Sequence, residues 1–271
     1  MYYKLFFLII LITIISCSNE KDNYSNKKII IIQGICSKYP YDDQHWARGL
    51  KNIIEENHKY IDKNSGEIND QIIDFSYSKA DWRNNYLPQE TLNSINIPIN
   101  NLEKIYENYP NSEFHIIGHS LGGVVALAGV AQSEKISSKT KSIITISSPI
   151  KGVNNTSENT GLRRLIELFT CSSNENTNNN IWNDLDVDSE IIKSISKYNY
   201  QNIKVYNVVN KFDLVVDSKI AKIEEKFEVL CFEELDEQFF GLNHSTILDN
   251  KNISSELLDL LIDNKQLEDK C

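Results

Sequence analysis

The sequence predicts an α/β fold: a mostly parallel sheet of about six strands flanked by helices, with a helical, lid-like insertion. Three observations predict it. Continuous β-branched runs recur along the chain, as in strands buried on both faces, where a sheet with one wet face would show alternation. Segments with apolar residues at helical spacing lie between those runs. One strand-like run passes directly through a glycine-rich turn into an Ala/Val/Gly-rich helix. With 271 residues, 41% of them hydrophobic, the chain can bury one large core, and no internal repeat or second domain boundary is evident.

The first strand is predicted over residues 27–33, where four consecutive isoleucines leave no polar face. A helix follows over 46–57, with Trp46, Leu50, Ile53 and Ile54 on one side. Residues 71–77 give the second strand and 100–109 the next helix. The third strand, 113–118, leads into a helix over 121–132, and the fourth strand is expected over 142–147. Residues 152–201 then separate two strands by far more than an ordinary crossover, which implies an insertion. It holds an apolar-basic segment, 161–169, a polar patch, 172–180, and a helix-like segment, 188–198, with Ile191, Ile192 and Ile195 on one side. Strands at 203–210 and 227–232 and a final helix at 254–263 complete the alternation, with right-handed crossovers between parallel strands.

The N-terminus carries a different signal. Lys4 precedes an almost wholly apolar run, residues 5–15, too short at ~1.5 Å per residue to span a hydrocarbon core of ~30 Å. It reads as the apolar region of a signal peptide. Its end, Ile14-Ile15-Ser16-Cys17, resembles the lipobox of bacterial lipoproteins. On that resemblance residues 1–16 are a signal peptide, Cys17 is lipidated and begins the mature chain, and residues 17–26 tether a domain spanning 27–271 to a membrane of the cell envelope. The tether is nearly devoid of apolar side chains to bury. Of the other cysteines, Cys36, Cys171, Cys231 and Cys271, none has metal-site spacing, and an exported protein could pair them in about three ways, Cys171 with Cys231 among them. Twenty-eight basic residues against 38 acidic ones give a net charge of -10, which argues against a nucleic-acid partner.

Gly118-His119-Ser120-Leu121-Gly122 is a G-x-S-x-G pattern placed between a strand and a helix, the context it needs. Such a turn pushes the serine out over the C-terminal edge of the sheet, and its flanking glycines make room for the backbone. The helix N-terminus then faces the serine, where negative charge develops in acyl transfer. Ser120 is the candidate nucleophile.

At these residues the chain resembles the α/β-hydrolase superfamily, and within it the lipases and esterases. The likeness takes in Gln33-Gly34-Ile35, Phe75-Ser76-Tyr77-Ser78, the elbow, and the turn Ser147-Ser148-Pro149-Ile150-Lys151-Gly152. Trp182-Asn183-Asp184-Leu185 followed by Ser189 looks like small bacterial lipases and the deacylases that act on glycolipid anchors. The resemblance implies an α/β-hydrolase fold, no cofactor, no metal, and a catalytic order of serine, acid, histidine.

A serine hydroxyl needs a histidine base, itself oriented by a carboxylate. Of five histidines, His45, His58 and His115 precede Ser120, and His119 adjoins it, where its ring is expected to pack. His244 alone lies downstream, in a turn-like segment ahead of the last helix. The acid should stand just past the strand at 203–210; Asp213 does, in Asp213-Leu214-Val215-Val216, with Asp217 the rival. Asp249 follows His244 and breaks the order. For the oxyanion, the motif supplies the Leu121 backbone amide, and the resemblance places the second donor at Ile35, although Gln33-Gly34 stands where the family has His-Gly. Cys36 reads as a packed small residue.

Asp184, Asp186 and Asp188 superficially suggest calcium, but Ser189 and Ile195 stand where such a loop needs glycine and a bidentate glutamate, so these aspartates are expected to cap and charge the following helix. There is no P-loop and no H-E-x-x-H. The expected activity is hydrolysis of a carboxylic ester, of a lipid or other acyl compound, through an acyl-serine. The competing expectations are an acyltransferase using the same triad and a non-catalytic surface binding protein.

Overall fold

The computed structural model describes residues 26–34, 72–75, 94–154, 179–233, 244 and 251–263. Six strands form one parallel sheet: β1 (Lys27–Ile32), β2 (Ile72–Phe75), β3 (Glu113–His119), β4 (Thr140–Ile146), β5 (Lys204–Asn210) and β6 (Glu228–Phe232). Their order across the sheet is β2-β1-β3-β4-β5-β6. The helices are α1 (Asn96–Asn108), α2 (Leu121–Gln132), α3 (Glu134–Ser137), α4 (Asn179–Asp184), α5 (Glu190–Lys197) and α6 (Lys251–Asp263).

The unbroken isoleucine run of β1 is explained by burial on both faces. Ile30 and Ile32 belong to a core with Ile116, Ile143, Val205 and the helices α1, α2 and α5. Ile29 and Ile31 point the other way, into a second core with Ile117, Ile144, Val208 and Leu257, Leu260 and Leu261 of α6. Helix α2 packs against the sheet so closely that residues 121–130 are all buried, which is why it is apolar all round.

Helix α1 starts at Asn96, four residues before the predicted start, because Pro98 sits in the first turn, where its missing N–H costs no hydrogen bond. The helix predicted over 46–57 and the segment 161–169 lie outside the described residues. Within the insertion, Ser189 caps α5 by accepting the Ile192 amide at 3.1 Å. Of the aspartates expected to cap and charge α5, Asp188 stands directly before the cap and pairs with Lys193 of the helix at 3.5 Å, whereas Asp184 and Asp186 are otherwise engaged. Asp184 reaches across the fold to α1, its Oδ2 accepting Ser94 Oγ at 2.8 Å and the Ile95 amide at 2.7 Å. Asp186 accepts the Asp188 amide in a local turn. The start of the insertion is tied to its later part where Val153 donates to the Leu185 carbonyl at 2.7 Å, and the insertion is fastened further where Lys226 Nζ caps the end of α5, donating to the Ser196 carbonyl at 2.6 Å. Cys231 is disulfide-bonded; the other cysteines lie outside the described residues.

Strand order reverses at β1, which is flanked by β2 on one side and β3 on the other. In open α/β sheets such a reversal marks the crevice at the C-terminal ends of the strands where ligands bind, here beside β1 and β3.

Candidate active site

Gly34, just past β1, and Ser120, just past β3, meet at that crevice. Ser120 holds φ 54 and ψ -123, a left-handed conformation that side-chain-bearing residues avoid. The strain is held by the surrounding ladder: the Ser120 amide donates to the Ile146 carbonyl of β4 at 2.8 Å, and its own carbonyl accepts the Gly123 amide at 3.2 Å. Helix α2 starts one residue later, so the Leu121 amide is one of the N-terminal donors without an intrahelical partner. Gly122 permits the turn because a Cβ there would lie 2.2 Å from the Ile32 carbonyl oxygen. Gly34 has the same role toward the serine itself: a Cβ on it would come within 2.9 Å of Ser120 Cβ.

Asp213 lies in the turn that follows β5. Its carboxylate is 1% exposed, and Oδ1 accepts the amides of Val215 at 2.8 Å and Val216 at 2.9 Å. The other oxygen, Oδ2, accepts Nδ1–H of His244 at 2.8 Å. Asp217 is exposed and its carboxylate accepts the Lys219 amide instead, closing a local turn. The structure thus brings together Asp213 and His244 and leaves Asp217 apart. Val215 and Val216 anchor the acid turn by packing with Val209, Ala221 and Cys231, while Phe212 and Leu214 face outward.

His119 is buried beside this pair. Its Nε2 donates to the main-chain carbonyl of His244 at 3.1 Å, and the two imidazoles lie 4.8 Å apart, centre to centre. Burial lowers its pKa to about 3, with the neighbouring His244 adding to the effect, so His119 is neutral at any ordinary pH. His115 is remote in function: buried within β3, it bonds Ser142 through Nδ1 at 2.8 Å. Ile35, Cys36, His45, His58 and Cys17 lie outside the described residues. From sequence alone His119 reads as a packing residue and Gly34 has no role beside the serine; neither contact has a signal in local spacing. Among the described residues, no three His, Cys, Asp or Glu side chains are grouped to hold a metal ion, and no helix is long and apolar enough to cross a membrane.

A six-stranded parallel sheet with a serine on a strained strand-to-helix turn, and an aspartate and a histidine paired on later loops, defines the α/β-hydrolase fold. The chain belongs to the PGAP1-like alpha/beta domain family, whose model matches residues 25–246. Solved structures of similar fold include a hydrolase from Oleispira antarctica (TM-score 0.57, 12% identity, covering 88% of this chain and 92% of that one). A lipase-esterase related protein from Clostridium acetobutylicum is similar over 88% of this chain and 95% of its own, with TM-score 0.52 and 13% identity. Lipase B of Aspergillus fumigatus matches 90% of this chain and 54% of its own, with TM-score 0.54 and 12% identity. A search among curated protein sequences found no match.

Proposed function

We propose that the protein is a serine hydrolase that cleaves a carboxylic ester, of a lipid or other acyl compound, through a covalent acyl-Ser120 intermediate. The observation that carries this reading is the buried Asp213 carboxylate bonded to Nδ1 of His244, together with a serine held at positive φ on the turn after β3. With Nδ1–H committed to Asp213, the lone pair of His244 resides on Nε2, as a general base requires. Ser120 Oγ attacks the ester carbonyl as its proton passes to His244 Nε2. The backbone amides of Leu121 and Ile35 receive the oxyanion. Collapse breaks the ester bond, and the alcohol departs with the proton from His244; water then repeats the sequence to release the acid.

The same reading places the enzyme in the cell envelope, anchored through a lipid on Cys17. It rests on the apolar run ending at Cys17, and a disulfide at Cys231 suits an oxidising compartment. Metabolic labelling with a fatty acid, lost in Cys17→Ala, tests the anchor; a wild type that takes up no label rejects it.

For the chemistry, the full chain in detergent is treated with a fluorophosphonate probe. Stoichiometric labelling of the wild type and none of Ser120→Ala is the expected result. A folded wild type that stays unlabelled, or a mutant labelled equally, overturns the assignment.

A further inference from the structure

We infer that His119 is a positioning residue for the base: its Nε2–H holds the main-chain carbonyl of His244 and so fixes the imidazole relative to Ser120. The inference rests on the serine-hydrolase reading above and adds to it a residue that the Ser-Asp-His scheme does not use.

The geometry sets the direction of the bond. A carbonyl oxygen can only accept, so a contact of 3.1 Å between His119 Nε2 and the His244 oxygen requires a proton on Nε2. The neutral ring then keeps its lone pair on Nδ1, which faces the loop after β1: a Cβ built on Gly34 would stand 3.3 Å from that atom. Burial keeps the ring neutral, which fixes a single tautomer.

His119 therefore touches three parts of the site. Peptide linkage joins it to Ser120, its ring edge abuts Gly34, and its hydrogen bond spans 125 residues of sequence to His244. His244 needs such a strut. The Asp213 bond restrains one ring atom of His244, and a hinge about that bond would still let Nε2 swing away from the serine. A second restraint, on the backbone of the same residue, removes the hinge. Displacement of a reacting group by about 1 Å costs on the order of 100-fold in rate, so the loss should appear in kcat.

The test compares His119→Phe with His119→Gln in the full chain. Phenylalanine keeps the ring against His244 but has no donor, whereas glutamine places an N–H close to the position of Nε2. For His119→Phe, kcat on a short-chain ester and the rate of fluorophosphonate labelling should fall about 10- to 100-fold. KM should stay within about twofold, and His119→Gln should recover most of the loss. Unchanged kcat in His119→Phe, a loss carried by KM, or equal impairment in both variants overturns the inference. A wild type that never labels rejects the serine-hydrolase reading, and the positioning role with it. Should His119→Phe fail to fold, 15N NMR of the wild-type imidazoles decides: His119 protonated on Nε2 from pH 5 to 8 is expected, and a proton on Nδ1 overturns the inference.

Discussion

Asp213 and His244, 31 residues apart in sequence, are joined by a 2.8 Å bond from an imidazole N–H to a carboxylate oxygen that water does not reach. The carboxylate has no slack. Its second oxygen is held by two backbone amides, so the side chain cannot turn without breaking three hydrogen bonds. A rigid acceptor of this kind sets both the tautomer and the direction of its histidine.

Substituting Asp213 by asparagine should therefore leave the fold intact and remove activity. The amide oxygen can still accept from Val215 and Val216, but its NH2 then confronts Nδ1 as a donor and drives the proton of His244 to Nε2, which can no longer act as a base. A fall in kcat of about 10³- to 10⁴-fold is expected. Asp217→Asn, at an exposed turn that asparagine can also close, should stay within about twofold of wild type. Steady-state kinetics of the two variants decide, and the reverse pattern would hand the role to Asp217.

Stability should decline on acidification through two histidines in β3. Burial, aided by the Lys27 ammonium, lowers His115 to about 4, and burial lowers His119 to about 3, against an ordinary value of 6.5. Both groups are depressed in the folded state, so the unfolded chain binds the extra protons. Their contribution is complete above pH 6.5 and drains away as the pH falls toward 4 for His115 and 3 for His119. Urea midpoints measured between pH 7 and 4.5 should drop for the wild type and drop less steeply for His115→Gln; parallel curves would contradict the assignment to His115.

The carboxylate of Asp184 ties the insertion to the start of α1, 89 residues away, by accepting the Ile95 amide at a helix end of positive potential. Asp184→Ala should cost about 1–2 kcal/mol, in the range for lost helix caps. Combined with Ser94→Ala it should cost less than the sum of the two, because both remove the same hydrogen bond. Additive losses in chemical denaturation would mean that the two side chains act independently.

Two glycines at the elbow should respond differently to alanine. At Gly122 the new methyl would meet the Ile32 carbonyl, an atom fixed in the β1 ladder, so Gly122→Ala should destabilise the whole domain by about 3 kcal/mol or more. At Gly34 the methyl would come within 2.9 Å of Ser120 Cβ, a side-chain atom at the crevice and not part of the β1 ladder, so the shift it forces falls on the serine. Gly34→Ala should keep most of its thermal stability and lose on the order of 10-fold in the rate of probe labelling. Thermal melts and labelling rates run together separate the two effects, and a Gly34→Ala protein that labels at the wild-type rate would show that the serine tolerates the push.

By itself the sequence determined the strands, the elbow and the chemical types at the site, since these are written in short-range pattern. Four isoleucines in a row fit a strand covered on both faces, and a serine between spaced glycines after such a strand fits a strand-to-helix elbow. Chain order alone singled out His244, and it set Asp213 close behind the strand at 203–210 with Asp217 a few residues further on as the rival. Which of the two meets the histidine was decided by the tertiary path: the turn after β5 directs Asp213 inward, where Val215 and Val216 bury beneath it, and leaves Asp217 in water. The same holds for Asp184, which by sequence stands ready to cap the helix that follows it and in the fold caps α1 instead. It holds also for His119, whose neighbour along the chain is Ser120 and whose hydrogen-bond partner lies 125 residues on. Spacing along the chain fixes what a side chain can do within one turn of helix or strand; the packing of loops against one edge of the sheet fixes which side chain it does it with.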